Sequence, residues 1–411
     1  MIMYTSSEVK GMIPNMKKTI KDYNLENKKV IIRCDFNVPI KDGVITDDTR
    51  IKASLKTINY ALETGAKLIL LSHLGKVKES SDLEKNNLYP VSIRLSELLG
   101  QPVKFSNKTR GEELEKLVDN LKKGEILLIQ NTRYEDLDGK KESSCDLELS
   151  KYWASLGEIF INDAYGTCHR KHASNVGISN FLPNGLGFLV EEEVTKLDSI
   201  TTEETHPFIV IMGGAKVSDK IKVIENLIQK CDKLLVGGGM AYTFLKAKGY
   251  NVGRSLVDEE SLDFCNKILN NYSHKLVLPI DNIVASSIES DNYQEKDIEN
   301  MNVEDMGLDI GQKTIKLFQD TLSTAKRVII NGPMGLFEKE IYANGTKSIY
   351  DYLTKNNIKT LVGGGDSAAS VNKLSDASKF YHISTGGGAT LEYLEGTILP
   401  GISAIHEKEE N

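Results

Sequence analysis

The stretch that decides the fold reads FIVIMGGAKVSDKIKVIENLIQKCDKLLVGGG and covers residues 208–239. An apolar, β-branched run at 208–214 is followed by a segment at 216–230 whose apolar residues recur at helical spacing. A second apolar run then covers 233–239. Continuous apolar runs, unlike alternating ones, are typical of parallel strands that are covered on both faces. The stretch therefore predicts a strand-helix-strand unit.

The same alternation extends through the whole chain. The segment at 49–65 has helical periodicity and ends on Gly65. Further apolar runs occur at 30–36, 68–73, 126–131, 159–164, 276–281, 327–333, 360–365 and 380–386. Alternating strands and helices predict an α/β fold with parallel sheets.

The length of 411 residues predicts two domains of roughly 200 residues each, because one hydrophobic core rarely serves a longer chain. A loop-like stretch precedes an amphipathic helix at 188–200, and we expect this helix to join the domains. The predicted divisions are an N-terminal extension at 1–15, a first domain at 16–187, the hinge helix at 188–200, a second domain at 201–400 and a polar tail at 401–411.

The composition narrows the class of protein. The net charge is −7, from 51 basic and 58 acidic residues, so the surface repels nucleic acid and anionic lipid at long range. Five scattered cysteines without a CxxC pair predict reduced thiols and no zinc cluster. No apolar run reaches the ~18 residues of a membrane span, and residues 1–15 lack the apolar core of a secretory signal. We expect a cytoplasmic protein that does not bind nucleic acid or membranes.

Four glycine clusters of the second half each lie between an apolar strand and a helical segment, at 213–216, 237–241, 363–368 and 386–390. Glycines let backbone N–H groups approach an anion, and the following helix adds its positive end. One such cluster alone is more often a tight turn, but four in one domain favour phosphate binding. The motif GxxxxGK[ST] and the kinase motifs HRD and DFG are absent from the sequence.

Charged residues accompany these glycines. Lys216 and Lys220 lie four residues apart at the start of the predicted helix, so they would share a face that suits a polyphosphate. They fit a solvated surface equally well. Asp366 and Glu338 stand beside glycine turns, where either could bind Mg²⁺ or a ribose hydroxyl or could simply cap a helix.

Basic and polar residues follow the strands of the first half. If those strands are parallel, all of these residues lie along one edge of one sheet. The set suits a small substrate with several negative charges, because guanidinium groups match carboxylate and phosphate oxygens. A structural role is more common for His169 and His172, and His73 fits either interpretation. The residues are Asp35, Asn37, Arg50, His73, Lys76, Arg133 and Arg170.

Ten motifs, in order along the chain from about residue 17 to its end, resemble those of the phosphoglycerate kinase family. The motifs are RCDFNVP (33–39), DDTRI (47–51), SHLGK (72–76), QNTRY (130–134), NDAYGTCHRKHAS (162–174), GGAKVSDKI (213–221), DIGQKT (309–314), NGPMGLFE (331–338), GGGDSA (363–368) and STGGGATLEYL (384–394). The resemblance implies two doubly wound, Rossmann-like parallel-sheet domains joined by a hinge helix. It implies reversible phosphoryl transfer, in which 1,3-bisphosphoglycerate and ADP give 3-phosphoglycerate and ATP.

The resemblance also implies site residues. The glycerate substrate would be held by Asp35, Phe36, Asn37, Arg50, His73, Leu74, Gly75, Lys76, Arg133 and Arg170. ATP or ADP would be held by Gly214, Lys216, Lys220, Gly238, Gly311, Asn331, Glu338, Gly364, Gly365, Asp366 and Ser367. Arg50, Lys216 and Lys220 would be catalytic, Asp366 would serve Mg²⁺ together with the nucleotide phosphates, and Glu338 would serve the ribose. The family leads us to expect a monomer that acts in glycolysis by hinge bending.

Four positions depart from the family pattern, which usually has Arg at Lys76, Glu at Gln130, Pro at Gln312 and a small residue at Cys168. Lys76 keeps the charge and loses the planar fork, so the grip there would be weaker. Two alternatives are a non-catalytic nucleotide- or anion-binding protein on the same scaffold and a dehydrogenase. The first predicts loss of Lys216, Asp366 or Arg50, and the second predicts a GxGxxG turn after the first strand. The sequence meets neither expectation.

Overall fold

A computed structural model of the chain describes residues 16–409, so the predicted extension at 1–15 and the last two residues of the predicted tail lie outside the described residues. The chain forms two compact units. The first comprises the described parts of Met1–Thr195 and Ile398–Asn411, and the second comprises Lys196–Thr397. No helix within 16–409 has the length and apolarity needed to cross a membrane.

The first unit is built on a six-stranded sheet with helices on both sides. Its strands are β1 (Lys29–Arg33), β2 (Ile40–Lys41), β3 (Val44–Ile45), β4 (Lys67–Leu71), β5 (Val103–Ser106), β6 (Ile126–Ile129), β7 (Ile159–Asn162) and β8 (Asn184–Leu186). Its helices are α1 (Thr49–Glu63), α2 (Asp82–Lys85), α3 (Tyr89–Leu99), α4 (Glu112–Asp119), α5 (Leu147–Ser155) and the start of α6 (Phe188–Thr202). The sheet order is β5-β6-β4-β1-β7-β8 and every pairing is parallel, while β2 and β3 form a separate hairpin.

The second unit is also built on a six-stranded parallel sheet, with a different strand order. Its strands are β9 (Phe208–Met212), β10 (Lys233–Val236), β11 (Leu276–Val277), β12 (Asp281–Ala285), β13 (Tyr293–Asp297), β14 (Met306–Ile310), β15 (Arg327–Asn331), β16 (Lys359–Gly363) and β17 (His382–Ile383). Its helices are α7 (Ile221–Lys230), α8 (Met240–Ala247), α9 (Leu262–Tyr272), α10 (Gln312–Leu322), α11 (Asn344–Lys355), α12 (Gly365–Leu374) and α13 (Gly388–Leu394). The parallel sheet has the order β11-β10-β9-β15-β16-β17, and β13-β12-β14 form a small antiparallel sheet.

The apolar runs form parallel strands because both faces of each sheet are buried. Along β1, Val30 and Ile32 pack into one hydrophobic cluster, whereas Ile31 packs into another on the opposite face. Side chains alternate between the faces of a strand, so a strand covered on both sides needs an apolar residue at every position. The predicted α/β fold with two doubly wound parallel sheets is confirmed.

The predicted helix at 216–230 is wrong at its start, because α7 begins at Ile221. A 3₁₀ turn, Ser218–Lys220, precedes it, and the Lys220 N–H donates to the Val217 carbonyl at 2.8 Å. The Ser218 N–H donates to the Asp258 carboxylate at 2.9 Å, which removes that group from a helical ladder. Lys216 therefore lies in a loop and does not share a helix face with Lys220.

The end of the chain returns to the first unit. The last helix, α14 (Pro400–Ser403), follows Leu399, and the Gly401 N–H donates to the Cys168 carbonyl at 2.8 Å. Further on, the His406 carbonyl accepts the Lys18 N–H at 2.8 Å. Buried Lys17 donates from Nζ to the Ile405 carbonyl at 2.8 Å.

Candidate active site

The carboxyl ends of the first sheet carry the polar residues that the sequence placed there. We call this set the basic edge: Asp35, Asn37, Arg50, His73, Lys76, Arg133 and Arg170. Asp35 and Asn37 follow β1, and Arg50 lies in the first turn of α1. His73 and Lys76 follow β4, Arg133 follows β6 and Arg170 follows β7. Parallel strands bring these ends to one side of the sheet.

Asp35 and Arg50 form the central ion pair of the basic edge. Arg50 Nη1 donates to both carboxylate oxygens of Asp35, at 3.1 and 2.9 Å. Asp35 is buried and the Arg50 side chain is about 41% exposed, so the carboxylate holds a guanidinium group that still faces outward. Asp35 therefore orients Arg50.

The loop after β4 is held by amide side chains. The Gly75 N–H donates to Asn37 Oδ1 at 2.8 Å, and the Leu74 N–H donates to Asn131 Oδ1 at 3.1 Å. Phe36 and Leu74 are buried. These two apolar residues shape the loops. The side-chain oxygen of Asn37 is already engaged by the Gly75 N–H.

His73 lies against a buried arginine, Arg33, at the end of β1. Arg33 Nη2 lies 3.2 Å from His73 Nδ1. Burial, followed by the nearby charge of Arg33, lowers the pKa of His73 to about 3. The charge of Asp35 raises this pKa and that of Arg133 lowers it, so Arg33, Asp35 and Arg133 all lie near the His73 ring.

Arg133 is fixed by a neighbouring acid. It lies in the 3₁₀ turn Thr132–Asp136, and its Nη1 donates to Asp136 Oδ2 at 3.0 Å and to Ser143 Oγ at 2.6 Å. Its Nε is buried without a partner in the described part of the chain. An unpartnered buried N–H of a cation is a donor that an anionic ligand could satisfy.

The remaining cations of the basic edge are less constrained. The Arg170 side chain is exposed and contributes to the lowered pKa of His172, so it belongs to the same electrostatic group. The pKa of His172 falls to about 3, through burial first and through Arg133 and Arg33 next. Lys76 is exposed, and its backbone carbonyl accepts a hydrogen bond from Asn86 at 2.9 Å.

The unusual residues near this edge are well accommodated. Buried Gln130 accepts the Leu88 and Asn131 N–H groups, at 3.0 and 2.8 Å, and donates to Asn107 at 3.2 Å. Its neutral amide needs no counter-charge. The Cys168 thiol is buried, and burial raises its pKa to about 12, so it remains a protonated core residue.

The second sheet ends in glycine turns that cross at its centre. The Gly213 N–H donates to the Asn331 carbonyl at 2.9 Å, and the Gly214 N–H donates to the Pro333 carbonyl at 3.1 Å. The crossing lies between β9 and β15, where the strand order reverses and doubly wound folds bind ligands. We call this set of turns, 213–216, 237–239, 331–338 and 363–367, the glycine edge.

A cavity of about 360 Å³ opens beside the glycine edge. Gly214, Gly238, Glu338 and Asp366 line it. Apolar side chains form much of its wall: Leu256, Ile288, Met306, Leu308, Pro333, Met334, Leu336 and Phe337. An apolar wall with polar groups at one end suits the flat base of a nucleotide and its charged tail.

Gly238 is sterically required at this crossing. Its φ is +66°, and a Cβ there would lie 2.7 Å from both the Gly214 nitrogen and the Pro333 oxygen. Both neighbours are backbone atoms, so they cannot rotate away. The turn at Gly238 can approach the backbone of Gly214 and Pro333 this closely only because Gly238 has no side chain.

Lys220 reaches the glycine edge from the residue before α7. Its Nζ donates to Asn331 Oδ1, and the Asn331 amide donates to the Gly363 carbonyl at 3.0 Å. Burial lowers the pKa of Lys220, and the nearby Asp366 opposes that shift. Lys216 is exposed and lies close enough to Asp258 to help lower the pKa of that carboxyl, after the Ser218 amide.

The other predicted nucleotide residues have different positions. Ser367 is buried, and its Oγ accepts the Gly332 N–H at 2.6 Å. Gly364, with φ +97°, lies at the N-cap position of α12, and Gly365 is the first residue of that helix. Gly311 does not line the cavity, and a Cβ there would lie 2.3 Å from the Asp281 carboxylate, which accepts N–H groups at the start of α10.

The carboxylates of this region bear on metal binding. Residues 16–409 contain no group of three or more His, Cys, Asp or Glu side chains that could enclose a metal ion. Asp366 is exposed and forms no ion pair within the described chain. Mg²⁺ commonly binds through one or two carboxylates and substrate phosphates, so Asp366 fits a metal that arrives with a nucleotide. Asp309, in the cavity wall, is buried, and burial raises its pKa to about 7.

Sequence reasoning missed two groups of residues. The apolar cavity wall comes from β14 and loops whose residues look like ordinary core positions. Arg33, Glu142 and Ser174, buried behind the basic edge, lie far apart in the sequence. The signal for Arg33 was available, since an arginine within an apolar strand needs a buried partner.

Comparisons with known proteins agree over nearly the whole chain. The sequence profile of the family described as phosphoglycerate kinase matches residues 20–397. A phosphoglycerate kinase of Enterococcus faecalis is 53% identical over 395 residues, covering 95% of this chain and 100% of that protein. One of Fusobacterium nucleatum is 54% identical over 398 residues, covering 96% and 100%. A solved phosphoglycerate kinase structure from Coxiella burnetii is similar with a TM-score of 0.87 and 36% identity, covering 94% of this chain and 98% of that one.

Proposed function

The chain belongs to the phosphoglycerate kinase family, and we propose that it transfers a phosphoryl group between 1,3-bisphosphoglycerate and ADP. The products are 3-phosphoglycerate and ATP, and the reaction is reversible. The chain is thus a phosphotransferase whose acceptor, in the reverse direction, is a carboxyl group. One observation carries the assignment: the chain has both an outward-facing basic edge and a nucleotide-sized cavity beside a glycine edge.

The basic edge would hold the glycerate and its phosphate. Arg50 is already oriented by Asp35, and Arg133 has a buried N–H without a partner among residues 16–409. His73, Arg170 and Lys76 add donors and positive charge around them. Guanidinium forks bind carboxylate and phosphate oxygens in pairs, so this set would fix the orientation of the substrate.

The glycine edge would hold the nucleotide. The base fits the apolar wall, and the phosphates fit the N–H groups of the glycine turns and the start of α12. Asp366 would hold Mg²⁺ together with the phosphates, and Glu338, which also lines the cavity, would bind the ribose. When bound, the metal neutralises phosphate charge.

No general base is required in the direction that forms ATP. The attacking oxygen of ADP and the departing carboxylate are both anions, so no proton has to move. Catalysis then depends on alignment and on charge around the transferring phosphoryl group. We assign that charge to Arg50, Lys216 and Lys220, with N–H groups of the turns at 363–365 and 386–388. The glycerate and the nucleotide occupy different units, and bending at α6 would bring them together and exclude water. We also propose a cytoplasmic monomer that acts in glycolysis.

A coupled assay of the full chain tests the proposal. The chain, 3-phosphoglycerate, ATP and Mg²⁺ are mixed, and formation of 1,3-bisphosphoglycerate is followed. We expect turnover that requires all three additions. A folded chain that binds ATP without turnover would instead support the non-catalytic binding protein.

A further inference from the structure

Behind the basic edge, a chain of buried hydrogen bonds ends on the ring of His73. Arg33 is 1% exposed, and its Nη2 lies 3.2 Å from His73 Nδ1. On its other side, Arg33 Nε donates to Ser174 Oγ at 2.8 Å. The Ser174 hydroxyl donates to Oε1 of Glu142, a carboxylate that is fully buried. The Ser174 N–H donates to Glu142 Oε2 at 2.9 Å.

The direction of each hydrogen bond in this chain is determined by chemistry. A guanidinium group has only donors, so Arg33 must donate to both Ser174 Oγ and His73 Nδ1. The Ser174 hydroxyl accepts the hydrogen bond from Arg33 and donates its own hydrogen bond to Glu142. His73 Nδ1 must then be an acceptor, and the proton of the neutral ring is on Nε2. His73 is partly exposed, and its Nε2 has no partner within residues 16–409.

Glu142 is the charge that keeps Arg33 in place. Its Oε1 lies 4.0 Å from Arg33 Nη2 and 4.0 Å from His172 Nδ1. A buried arginine without a carboxylate partner would be costly, and a buried carboxylate needs donors on both oxygens. Arg133 also faces Glu142, and Asp35, Arg133 and His172 face His73 together with Arg33.

We propose that Glu142 is a positioning residue that, through Ser174 and Arg33, fixes His73 as the Nε2–H tautomer with this N–H directed to the anionic substrate. Glu142 does not touch the substrate itself. His73 thereby acts as a neutral hydrogen-bond donor and not as an acid or base. The part of the proposal that concerns the substrate rests on the proposed function, whereas the tautomer does not.

The tautomer can be measured without any assay of activity. Protonated and unprotonated ring nitrogens differ in their ¹⁵N chemical shifts, and the His73 signals are identified by their loss in His73→Phe. We expect a single Nε2–H tautomer in the ligand-free full chain, unchanged from pH 5.5 to 8. In Glu142→Gln and in Ser174→Ala we expect the Nδ1–H tautomer to appear as well. Glu113→Gln and Ser144→Ala, which change exposed residues of the same unit, serve as matched controls.

Kinetics then separate positioning from general damage. In Ser174→Ala, we expect KM for 3-phosphoglycerate to rise about tenfold, the effect of weakening one charged hydrogen bond, with KM for ATP unchanged. Ser174→Ala leaves the Glu142 charge in place, so it provides the test if Glu142→Gln does not fold.

Two results would overturn the inference: a His73 ring protonated on Nδ1 in the parent chain, or a tautomer that neither folded variant changes. If the parent protein shows no turnover but the His73 tautomer changes as expected in the variants, the proposed function is refuted and the inference about the hydrogen bonds from Glu142 to His73 is retained.

Discussion

Both units are built on a six-stranded parallel sheet, with different strand orders, and the two sheet edges offer an anion different groups. The basic edge uses charged side chains, and two of its arginines are held by acidic partners: Asp35 holds Arg50 and Asp136 holds Arg133. The glycine edge uses backbone, and its loops pack so closely that Gly238 admits no side chain. The same strand-to-helix connection can therefore present either ordered cations or bare N–H groups. Which of the two a connection presents depends on the few residues that follow each strand.

The largest expected effect lies on the basic edge. Arg50→Ala should lower kcat by about 10³-fold or more, on the scale of other arginines that contact a transferring phosphoryl group. The nucleotide affinity, which depends on the other unit, should stay unchanged by calorimetry. Lys52→Ala, on an exposed part of the same helix, is the control. Near-normal turnover in Arg50→Ala would remove the arginine from the mechanism.

The next prediction concerns the pH dependence of stability and compares one buried aspartate from each unit. Asp163 Oδ1 accepts the Leu189 N–H of α6 at 2.9 Å, and burial raises the pKa of Asp163 to about 7. The pKa of an unfolded Asp is about 4, so between these values only the folded state binds the proton. Stability of the parent therefore falls as pH rises from about 4 to 7, and that of Asp163→Asn does not.

Urea unfolding over this pH range checks the prediction. We expect the stability of Asp163→Asn relative to the parent to increase by on the order of 4 kcal/mol between pH 4 and 7, and by little more above pH 7. Asp309→Asn in the other unit should behave alike, because burial raises the pKa of Asp309 to about 7 as well. Exposed Asp119→Asn is the control, and a flat difference for both buried positions would show that they stay ionised.

A smaller effect is expected at the glycine edge. Gly238→Ala should weaken nucleotide binding about tenfold, because overpacking of backbone against backbone displaces the crossing loops. Gly249→Ala is the matched control, since Gly249 also has a positive φ, +99°, with no atom within 4 Å of a built Cβ. Equal losses in the two variants would mean that backbone strain, and not the close crossing, is responsible.

The smallest effect concerns the departure at Lys76. Lys76→Arg should lower KM for 3-phosphoglycerate by about threefold, since a planar fork gains a second hydrogen bond at an exposed site. The Michaelis constant for ATP is the internal control. An unchanged or higher KM for 3-phosphoglycerate would show that the exposed Lys76 does not contact the substrate.

The sequence predicted the parallel sheets well, because strands buried on both faces must be apolar at nearly every position. It missed β5 and β8 of the first sheet, because β5 is only partly buried and β8, in the stretch that was predicted to be a loop, consists of Asn, Gly and Leu. It also missed the β2–β3 hairpin and the small antiparallel sheet of β12, β13 and β14, in which the residues YQEKD of β13 are polar and largely exposed. It also missed that Lys216 lies outside α7, since the carboxylate of Asp258, forty residues from Ser218, ends the helical pattern there.

The residues of the basic edge could be predicted from the sequence, but the buried residues that hold them in place could not. Glu142 sits in the polar stretch KKESS, which looks like a solvated loop, yet its side chain is fully buried. Its partners Arg33 and Ser174 come from distant parts of the chain. Periodicity describes one element at a time and cannot show which buried charges meet.

Hydrogen exchange with each ligand added separately to the full chain tests the central claim most directly. We expect 3-phosphoglycerate to slow exchange at 34–37, 72–76 and 130–134, and MgADP to slow exchange at 213–216, 237–241 and 363–368. Each ligand should leave the other set of turns unprotected. Protection of the glycine edge by 3-phosphoglycerate alone, or of the basic edge by MgADP alone, would contradict the division of the two ligands between the two units.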